Sequence, residues 1–171
     1  ALIPDNSSVV LNIGTTTEQV ARSLLASHQG LKIITNNINI VNIAGHSKNC
    51  EVWVAGGKLR SADNAIVGSL ASDFISNFKI DYAIVGISAI DKEGTLLDFD
   101  HEELMVTKAI YKQSRRKILI ADANKFDRKA PYVTGNIGDI DIFVTDKMPD
   151  KNIINICEKN NVEIIISSNK N

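Results

Sequence analysis

A short turn of one glycine and three threonines follows an apolar run near the start of the chain. The run ends at Ile13, and the turn Gly14-Thr15-Thr16-Thr17 leads directly into a helical pattern. The first amides of a helix lack intrahelical acceptors and lie at the positive end of its dipole, so this turn can hold a phosphate or a carboxylate. Thr15 and Glu18 also have the spacing of a capping box, which would satisfy those amides without a ligand. The sequence leaves both interpretations open.

Two further turns carry residues suited to a polar ligand. Thr35-Asn36-Asn37 follows the second apolar run, and these side chains can cap the next helix or bond a ligand hydroxyl. The segment Gly56-Gly57-Lys58-Leu59-Arg60 follows the third run. Its paired glycines permit close approach of the backbone to a ligand, and its two basic residues can neutralise negative charge. A glycine turn with two solvated basic residues is the alternative.

Acidic residues gather around the start of the fourth predicted helix. They are Asp98, Asp100, Glu102 and Glu103, with His101 among them. The helix dipole favours acids in a first turn, and Asp100 and Glu103 have capping-box spacing, so we predict no metal site. Glu103 can accept hydrogen bonds from ligand hydroxyls, or act as a base if its pKa is raised.

A lysine and an aspartate lie at two further strand boundaries. Lys125 stands just past an apolar run that ends at Ala121, and its compact charge suits a phosphate. Asp81 begins the run that leads to Gly86-Ile87-Ser88. The sequence contains no nucleophile elbow, no Walker loop and no three-glycine dinucleotide fingerprint. We therefore predict no catalytic residue and no cofactor.

Alternating strand and helix patterns separate these turns. Apolar runs predict strands at 9–13, 31–35, 51–55, 81–87, 117–121, 141–145 and 162–166, and helical patterns lie at 16–28, 37–45, 69–77, 101–115 and 151–160. Continuously apolar strands are buried on both faces, which predicts an α/β fold with a mostly parallel sheet flanked by helices on both faces. Ligands bind beyond the carboxyl ends of such strands, where the Gly14 turn lies. The stretch 55–68 predicts an irregular excursion or an extra strand pair.

Composition narrows the classes of function. A chain of 171 residues fits one domain, and a net charge of −1 with interspersed signs argues against a nucleic-acid surface on it. The basic cluster Arg115-Arg116-Lys117 falls at the expected end of a helix, where it would complement the dipole. No apolar run is long enough to span a membrane, and no signal peptide is predicted. Cys50 and Cys157 have no metal or redox spacing, which predicts a reduced, cytoplasmic compartment.

Taken together, the turns occur in an order that resembles the C-terminal effector-sensing domain of DeoR-type regulators of sugar metabolism. The matching pieces are Ile13 to Thr17, Thr35-Asn36, Gly56 to Arg60, Val67-Gly68, Asp81 with Gly86-Ile87-Ser88, Glu103 with Lys108-Ala109, Asp122 to Phe126, and Thr145-Asp146. They span nearly the whole chain.

The resemblance implies a fold like that of ribose-5-phosphate isomerase, in a regulator that senses a phosphorylated sugar or related metabolite and is usually a repressor. The phosphate would rest on Gly14 to Thr17, assisted by Lys125 and by Lys58 or Arg60. Asp81 and Glu103 would face the sugar hydroxyls. Operator DNA would be bound by an N-terminal winged helix-turn-helix, which we expect to precede this chain, and the regulator would be a homo-oligomer, a dimer or a tetramer.

Two departures from the family pattern bear on the site. Asn12 stands where such regulators usually have an aspartate, which removes one charge near the expected pocket. The segment Leu96 to Asp100 stands where related isomerases carry a lysine and a glycine-rich turn before their catalytic glutamate. The residues therefore favour a binding module without turnover. A sugar-phosphate isomerase with Glu103 as its base, and a protein-interaction domain with a vestigial pocket, are the alternatives.

Overall fold

The computed structural model describes residues 2–167. The strands in this part are β1 (Ser8–Leu11), β2 (Leu31–Thr35), β3 (Cys50–Val54), β4 (Lys58–Arg60), β5 (Ala65–Val67), β6 (Ile80–Gly86), β7 (Ala89–Ile90), β8 (Thr95–Asp98), β9 (Ser114–Ile120), β10 (Tyr132–Asn136), β11 (Ile142–Thr145) and β12 (Glu163–Ile166). The helices are α1 (Thr15–Ser27), α2 (Ile38–Ala44), α3 (Ser69–Ser76), α4 (His101–Gln113) and α5 (Lys151–Lys159). Short 3₁₀ turns span Ala123–Lys125 and Ile137–Asp139.

All of the predicted strands belong to one seven-stranded sheet in the order β12-β11-β9-β6-β1-β2-β3. Every neighbouring pair is parallel, so the predicted parallel α/β fold is confirmed. The chain moves from β1 outward to β2 and β3, then returns to β6 on the other side of β1. The carboxyl ends of β1 and β6 therefore flank the switch point where open α/β sheets bind ligands.

Helices cover both faces of this sheet, as predicted. Val9 and Leu11 face one core and Val10 faces the other, because successive side chains of a strand point to opposite faces. Helices α1 and α2 pack on the first face, and α3 and α4 pack on the second. Helix α5 extends the second core beside β9 and β11.

The stretch 55–68 forms an antiparallel hairpin of β4 and β5, which confirms the extra strand pair. A second small sheet of β10, β8 and β7 was not predicted. Strand β7 has only two residues, and the pairing of β10 with β8 shifts register between Val133 and Gly135. Such short or irregular segments lack the run of apolar residues that signals a strand.

The junction between α4 and β9 differs from the prediction. Helix α4 ends at Gln113, and Ser114 already pairs with Ile80 as the first residue of β9. The basic cluster Arg115-Arg116-Lys117 thus lies within a strand, and the prediction that it complements a helix end is wrong. Pairing with β6 extends β9 toward its start and leaves no room for another helical turn.

Three further observations on residues 2–167 concern the helices, the cysteines and the side chains that could bind a metal. No helix in this part is long and apolar enough to cross a lipid bilayer. Cys50 and Cys157 are free thiols. No group of three or more metal-ligating side chains comes together within the described range.

Candidate functional site

A cavity of about 490 Å³ opens at the switch point of the sheet. This volume lies within the range of small-ligand pockets. Its walls are the loops after β1, β6 and β9, the β4–β5 hairpin and the start of α4. The predicted site residues that line it are Gly14, Thr15, Thr16, Thr17, Arg60, Gly86, Glu103 and Lys125.

The Gly14 turn forms one wall and presents free backbone amides. Gly14 has a φ of 129°, a conformation that favours glycine, and α1 begins at the next residue. The amides of Thr15, Thr16 and Thr17 have no acceptor among residues 2–167. Both Thr15 and Thr16 are exposed to the cavity side. This helix start can therefore bind an anion.

The capping-box interpretation of the turn is wrong. Helix α1 has no side-chain cap, and the carboxylate of Glu18 is used elsewhere. Its Oε1 accepts hydrogen bonds from Asn37 Nδ2 at 3.1 Å and Asn39 Nδ2 at 2.9 Å. Glu18 thus joins α1 to α2, and it leaves the first amides of α1 available.

Thr17 and Asn12 fix the shape of the turn. The buried hydroxyl of Thr17 donates to the carbonyls of Asn12 at 2.9 Å and Gly14 at 2.7 Å. Asn12 Oδ1 accepts from the amide of Gly86 at 3.0 Å, and Asn12 Nδ2 donates to the carbonyl of Gly86 at 3.4 Å. The side-chain amide at position 12 thus braces β1 against β6, and an ionised aspartate there would have no proton for the Gly86 carbonyl.

Lys125 lies on another wall, on the 3₁₀ turn after β9. Asp122 Oδ1 accepts from the amide of Asn124 at 2.8 Å, and Asp146 Oδ1 accepts from the amide of Ala123 at 2.7 Å. These bonds fix the turn that carries the lysine. Within the described part of the chain, Lys125 Nζ makes no ion pair. An ammonium without a counter-ion in the same cavity as the α1 amides suits a phosphate.

Arg60, the last residue of β4, lies beside the start of α4 and is held by carboxylates. It donates to Asp100 Oδ2 at 2.8 Å, to Glu103 Oε2 at 2.9 Å and to both carboxylate oxygens of Asp63 at 2.6–2.9 Å. Asp100 also caps α4, because its Oδ1 accepts from the amides of Glu102 and Glu103. Only half of the predicted capping box forms, since the Glu103 carboxylate turns to Arg60 instead of to the backbone.

Asp98, the last residue of β8, lies deepest among the acids of the cavity. Only 1% of the surface of this residue is exposed to solvent. The Ser88 hydroxyl donates to Asp98 Oδ1, and Asp98 Oδ2 is buried with no partner among residues 2–167. Buried polar atoms are nearly always hydrogen-bonded, so the missing partner of this oxygen, in a residue that lines the cavity, points to a group that binds there.

Two acids of the cavity resist ionisation. Burial raises the pKa of Glu103 to about 7; the negative charge of Asp98 adds to this rise and Arg60 opposes it. Burial also raises the pKa of Asp98, against the bond from Ser88 and the positive charges of Arg60 and Lys125. Perturbed carboxyls of this kind concentrate at functional sites.

Asp81 lies at the opposite end of the sheet from the cavity. Its carboxylate accepts hydrogen bonds from the Ser8 amide at 2.9 Å and the Ser8 hydroxyl at 2.7 Å, at the start of β1. Arg115 Nε lies 3.7 Å from the same carboxylate. Strand β6 carries only its last residue, Gly86, to the cavity. The structure thus corrects the expectation that Asp81 and Glu103 face one ligand.

Other predicted residues also lie outside the cavity lining: Asn36, Gly56, Gly57 and Lys58. Asn36 is buried and donates from Nδ2 to the Ile66 carbonyl at 2.9 Å, which ties β5 to the end of β2. Lys58 is exposed and pairs with Glu102 at 2.9 Å. The two glycines form the turn that enters β4. The expected helix cap on α2 is confirmed, because Asn37 Oδ1 accepts from the amide of Asn39.

Comparison with known proteins decides the family. A model of the DeoR C terminal sensor domain matches residues 1–147. The chain belongs to this family. A glycerol-3-phosphate regulon repressor of Haemophilus influenzae is 38% identical over 99% of this chain, and the repressor of the same name from Escherichia coli is 39% identical over 95%. The chain spans 65% and 64% of the length of these two relatives.

Solved structures share the fold of this sensor domain. The eIF2B beta subunit of Chaetomium thermophilum superposes with a TM-score of 0.59 at 13% identity, covering 93% of this chain and 50% of that protein. Ribose 5-phosphate isomerase A of Methanocaldococcus jannaschii gives a TM-score of 0.53 at 13% identity, covering 75% and 50%. The predicted likeness to the isomerase fold is confirmed.

The sensor domain also places residues in the cavity that the sequence analysis did not assign to it. They are Asp63, Ser88, Asp98, Phe99, Asp100 and Asp122, together with apolar neighbours. Asp98 had a usable signal, because it ends a short apolar run and therefore falls at a strand end like Lys125. Phe99 follows it at the cavity and is 60% exposed. Asp63 had no such signal, since its place depends on the hairpin turn.

Proposed function

We propose that this sensor domain binds a small phosphorylated metabolite, with the phosphate at the start of α1. One observation carries the proposal: three amides, from Thr15 to Thr17, and the ammonium of Lys125 line the same cavity, and all are without partners among residues 2–167. Backbone amides at a helix start and a fixed cation are both favourable partners for a phosphate. Gly14 lets the phosphate approach the backbone without meeting a side chain, as does Gly86 at the neighbouring strand end.

The other part of the metabolite then lies against Arg60 and Glu103. Hydroxyl groups suit this wall, because the carboxylates of Asp98, Asp100 and Glu103 accept hydrogen bonds. The names of the relatives, glycerol-3-phosphate regulon repressors, support a phosphate ester of a small polyol or sugar. We take sn-glycerol 3-phosphate as the first probe for this reason.

We propose that the bound metabolite regulates the binding of DNA. The relatives are named as repressors, and they extend beyond the part that this chain matches. A ligand regulates such a protein only if it binds one arrangement of the whole molecule better than another. We therefore propose that this domain acts with a DNA-binding domain, in a homo-oligomer, and that the phosphorylated ligand changes its affinity for an operator.

Isomerase activity is the competing function, and the raised pKa of Glu103 favours it. A carboxyl group with a pKa of about 7 is suited to moving a proton near neutral pH. Its carboxylate, however, is bound to Arg60, and the relatives are named as repressors. The regulator is the function that we propose.

The test is a thermal-unfolding series on this chain with three compounds: sn-glycerol 3-phosphate, ribose 5-phosphate and glycerol. A ligand that binds the native state raises its apparent stability by mass action. We expect a phosphate ester to raise the midpoint of unfolding and glycerol to leave it unchanged. Product analysis of the ribose 5-phosphate sample distinguishes a sensor from an isomerase.

Lys125→Met is the decisive variant, and Lys79→Met is its control. Lys79 is exposed and lies at the other end of the sheet, beside Asp81 in a separate surface groove. We expect Lys125→Met to weaken binding of the phosphate ester by about 1–3 kcal/mol, the value of a charge-assisted hydrogen bond. Equal affinity in both variants would reject this cavity as the phosphate site.

A further inference from the structure

The cavity has an excess of negative charge for a site that holds a phosphate. Five acidic side chains line it, against the two basic side chains of Arg60 and Lys125. Arg60 is already bound by three carboxylates, at 2.6–2.9 Å. The guanidinium therefore has little charge left to offer a ligand. Among the groups of residues 2–167 that line the cavity, Lys125 and the α1 amides remain free for an anion.

Asp98 is the acid of the cavity with a carboxyl oxygen that lacks a hydrogen-bond donor among residues 2–167. It is 1% exposed, and one of its carboxyl oxygens accepts from Ser88 while the other has no partner within the described chain. A buried acceptor without a donor costs free energy until something donates to it. Because Asp98 lines the cavity, a bound molecule can supply that donor.

We propose that Asp98 recognises the end of the effector that carries no phosphate, and that it accepts a hydrogen bond from a hydroxyl there while the acidic wall excludes a second negative charge. This inference rests on the proposed phosphate site. It narrows the effector to a phosphate monoester of an uncharged polyol or sugar. Phosphorylated acids and bisphosphates are rejected.

The physical reason is a difference between a hydroxymethyl group and a carboxylate at the same position. A hydroxyl donates to Asp98 Oδ2 and removes the unsatisfied acceptor. A carboxylate has no proton to donate, and it would bring a further negative charge into a partly desolvated cavity whose burial already raises the pKa of Asp98 and that of Glu103. Sites built to bond a substrate hydroxyl strongly reject analogues that lack it, because their buried polar groups stay unpaired.

Two ligands that differ only in this group test the inference. sn-Glycerol 3-phosphate and L-3-phosphoglycerate carry the same phosphate and the same arrangement at C2, and the second replaces the terminal hydroxymethyl by a carboxylate. We expect isothermal titration calorimetry on the unmodified chain to give at least a roughly tenfold higher affinity for the glycerol ester. Equal affinities, or tighter binding of the acid, would overturn the inference.

Asp98→Asn assigns the discrimination to one residue. The variant keeps the size of the side chain and an oxygen for Ser88, but it replaces the ionisable carboxyl group by an amide. We expect the ratio of the two affinities to fall by roughly tenfold, with the glycerol ester losing affinity and the acid gaining it. Asp73→Asn is the matched control, because Asp73 is an exposed residue of α3 outside the cavity, and its ratio should equal that of the unmodified chain.

The outcomes separate the two proposals. If the glycerol ester and the phosphorylated acid bind with equal affinity, and Lys125→Met weakens the binding of both, the phosphate site stands and the role of Asp98 is rejected. If neither ester binds, and inorganic phosphate does not raise the unfolding midpoint, the phosphate site itself is rejected. The comparison of the two ligands uses only the unmodified chain. It therefore still tests the inference if Asp98→Asn does not fold.

Discussion

Arg60 Nη2 donates to Glu103 Oε2 at 2.9 Å, and this bond joins the β4–β5 hairpin to the start of α4 at the wall of the cavity. The two side chains are 25% and 15% exposed, so the pair is mostly removed from water. On the same strand, Lys58 pairs with Glu102 at a similar distance, but those side chains are 68% and 42% exposed. The hairpin therefore carries two cations to the start of one helix, and they differ in burial and in the number of carboxylates that they bind.

Arg60→Met is expected to destabilise the chain by about 1–3 kcal/mol, less than the loss of a partner in a fully buried pair. The substitution leaves Glu103 and Asp100 without their shared cation in a partly desolvated place. Lys58→Met removes an exposed partner, and we expect the free energy of unfolding to stay within measurement error. Urea denaturation of both variants measures the difference. Equal losses would show that burial does not distinguish the two pairs.

Glu103 makes stability depend on pH. The folded chain raises its pKa from an ordinary 4.5 to about 7, so folding takes up protons between these values. Its stabilising contribution is therefore complete below about pH 4.5 and is lost as pH rises through 7, by on the order of 3 kcal/mol. Glu103→Gln should flatten this fall. Urea denaturation at several pH values from 4.5 to 8 measures the slope.

Glu102→Gln is the control for that slope. Glu102 neighbours Glu103 on α4 and has a much more exposed side chain. The pKa of Asp81 and that of Asp100 are lowered, which moves their titration below the window, whereas the raised pKa of Asp98 acts in the same direction as Glu103. An unchanged slope in Glu103→Gln would mean that Glu103 is ionised normally in the folded chain.

The central sheet was predictable because its strands are dense apolar runs. Segments such as Lys117 to Ala121 are buried on both faces, and that burial requires an unbroken apolar pattern. The sheet of β7, β8 and β10 was not predictable in the same way. Its strands are short or bulged, and their pairing depends on tertiary contacts rather than on their own sequence.

The candidate site was predictable where a single rule of topology decides position. The Gly14 turn and Lys125 follow buried strands, and the carboxyl ends of parallel strands meet at one edge. Asp81 failed this rule, because it stands at the start of a strand, about 16 Å from Gly86 at an ordinary rise per residue. Asp98 became recognisable only from packing, since the missing partner of its carboxyl oxygen cannot be inferred from residue order.

Gly14→Ala tests whether the turn needs glycine. Its φ of 129° is strained for any residue with a side chain, so we expect a loss of about 1–2 kcal/mol in stability together with weaker binding of phosphate esters. Gly56→Ala is the control, because Gly56 has no positive φ and has open space where the added methyl group would lie. Thermal unfolding with and without sn-glycerol 3-phosphate measures both effects. A Gly14→Ala variant as stable as Gly56→Ala would contradict the strained turn.

Thr16→Val and Thr17→Val separate binding from folding within one turn. Thr17 is buried and its hydroxyl bonds the carbonyls of Asn12 and Gly14. The Gly14 carbonyl also accepts from the Glu18 amide, so the valine variant leaves the Asn12 carbonyl without this donor and should lose about 1–2 kcal/mol of stability. Thr16 is exposed and lines the cavity, so its valine variant should keep that stability but bind phosphate esters more weakly, because the phosphate loses a hydroxyl donor. Urea denaturation and calorimetric titration of both variants give the two readouts. If Thr16→Val binds sn-glycerol 3-phosphate as the unmodified chain does, the Thr16 hydroxyl takes no part in holding the phosphate.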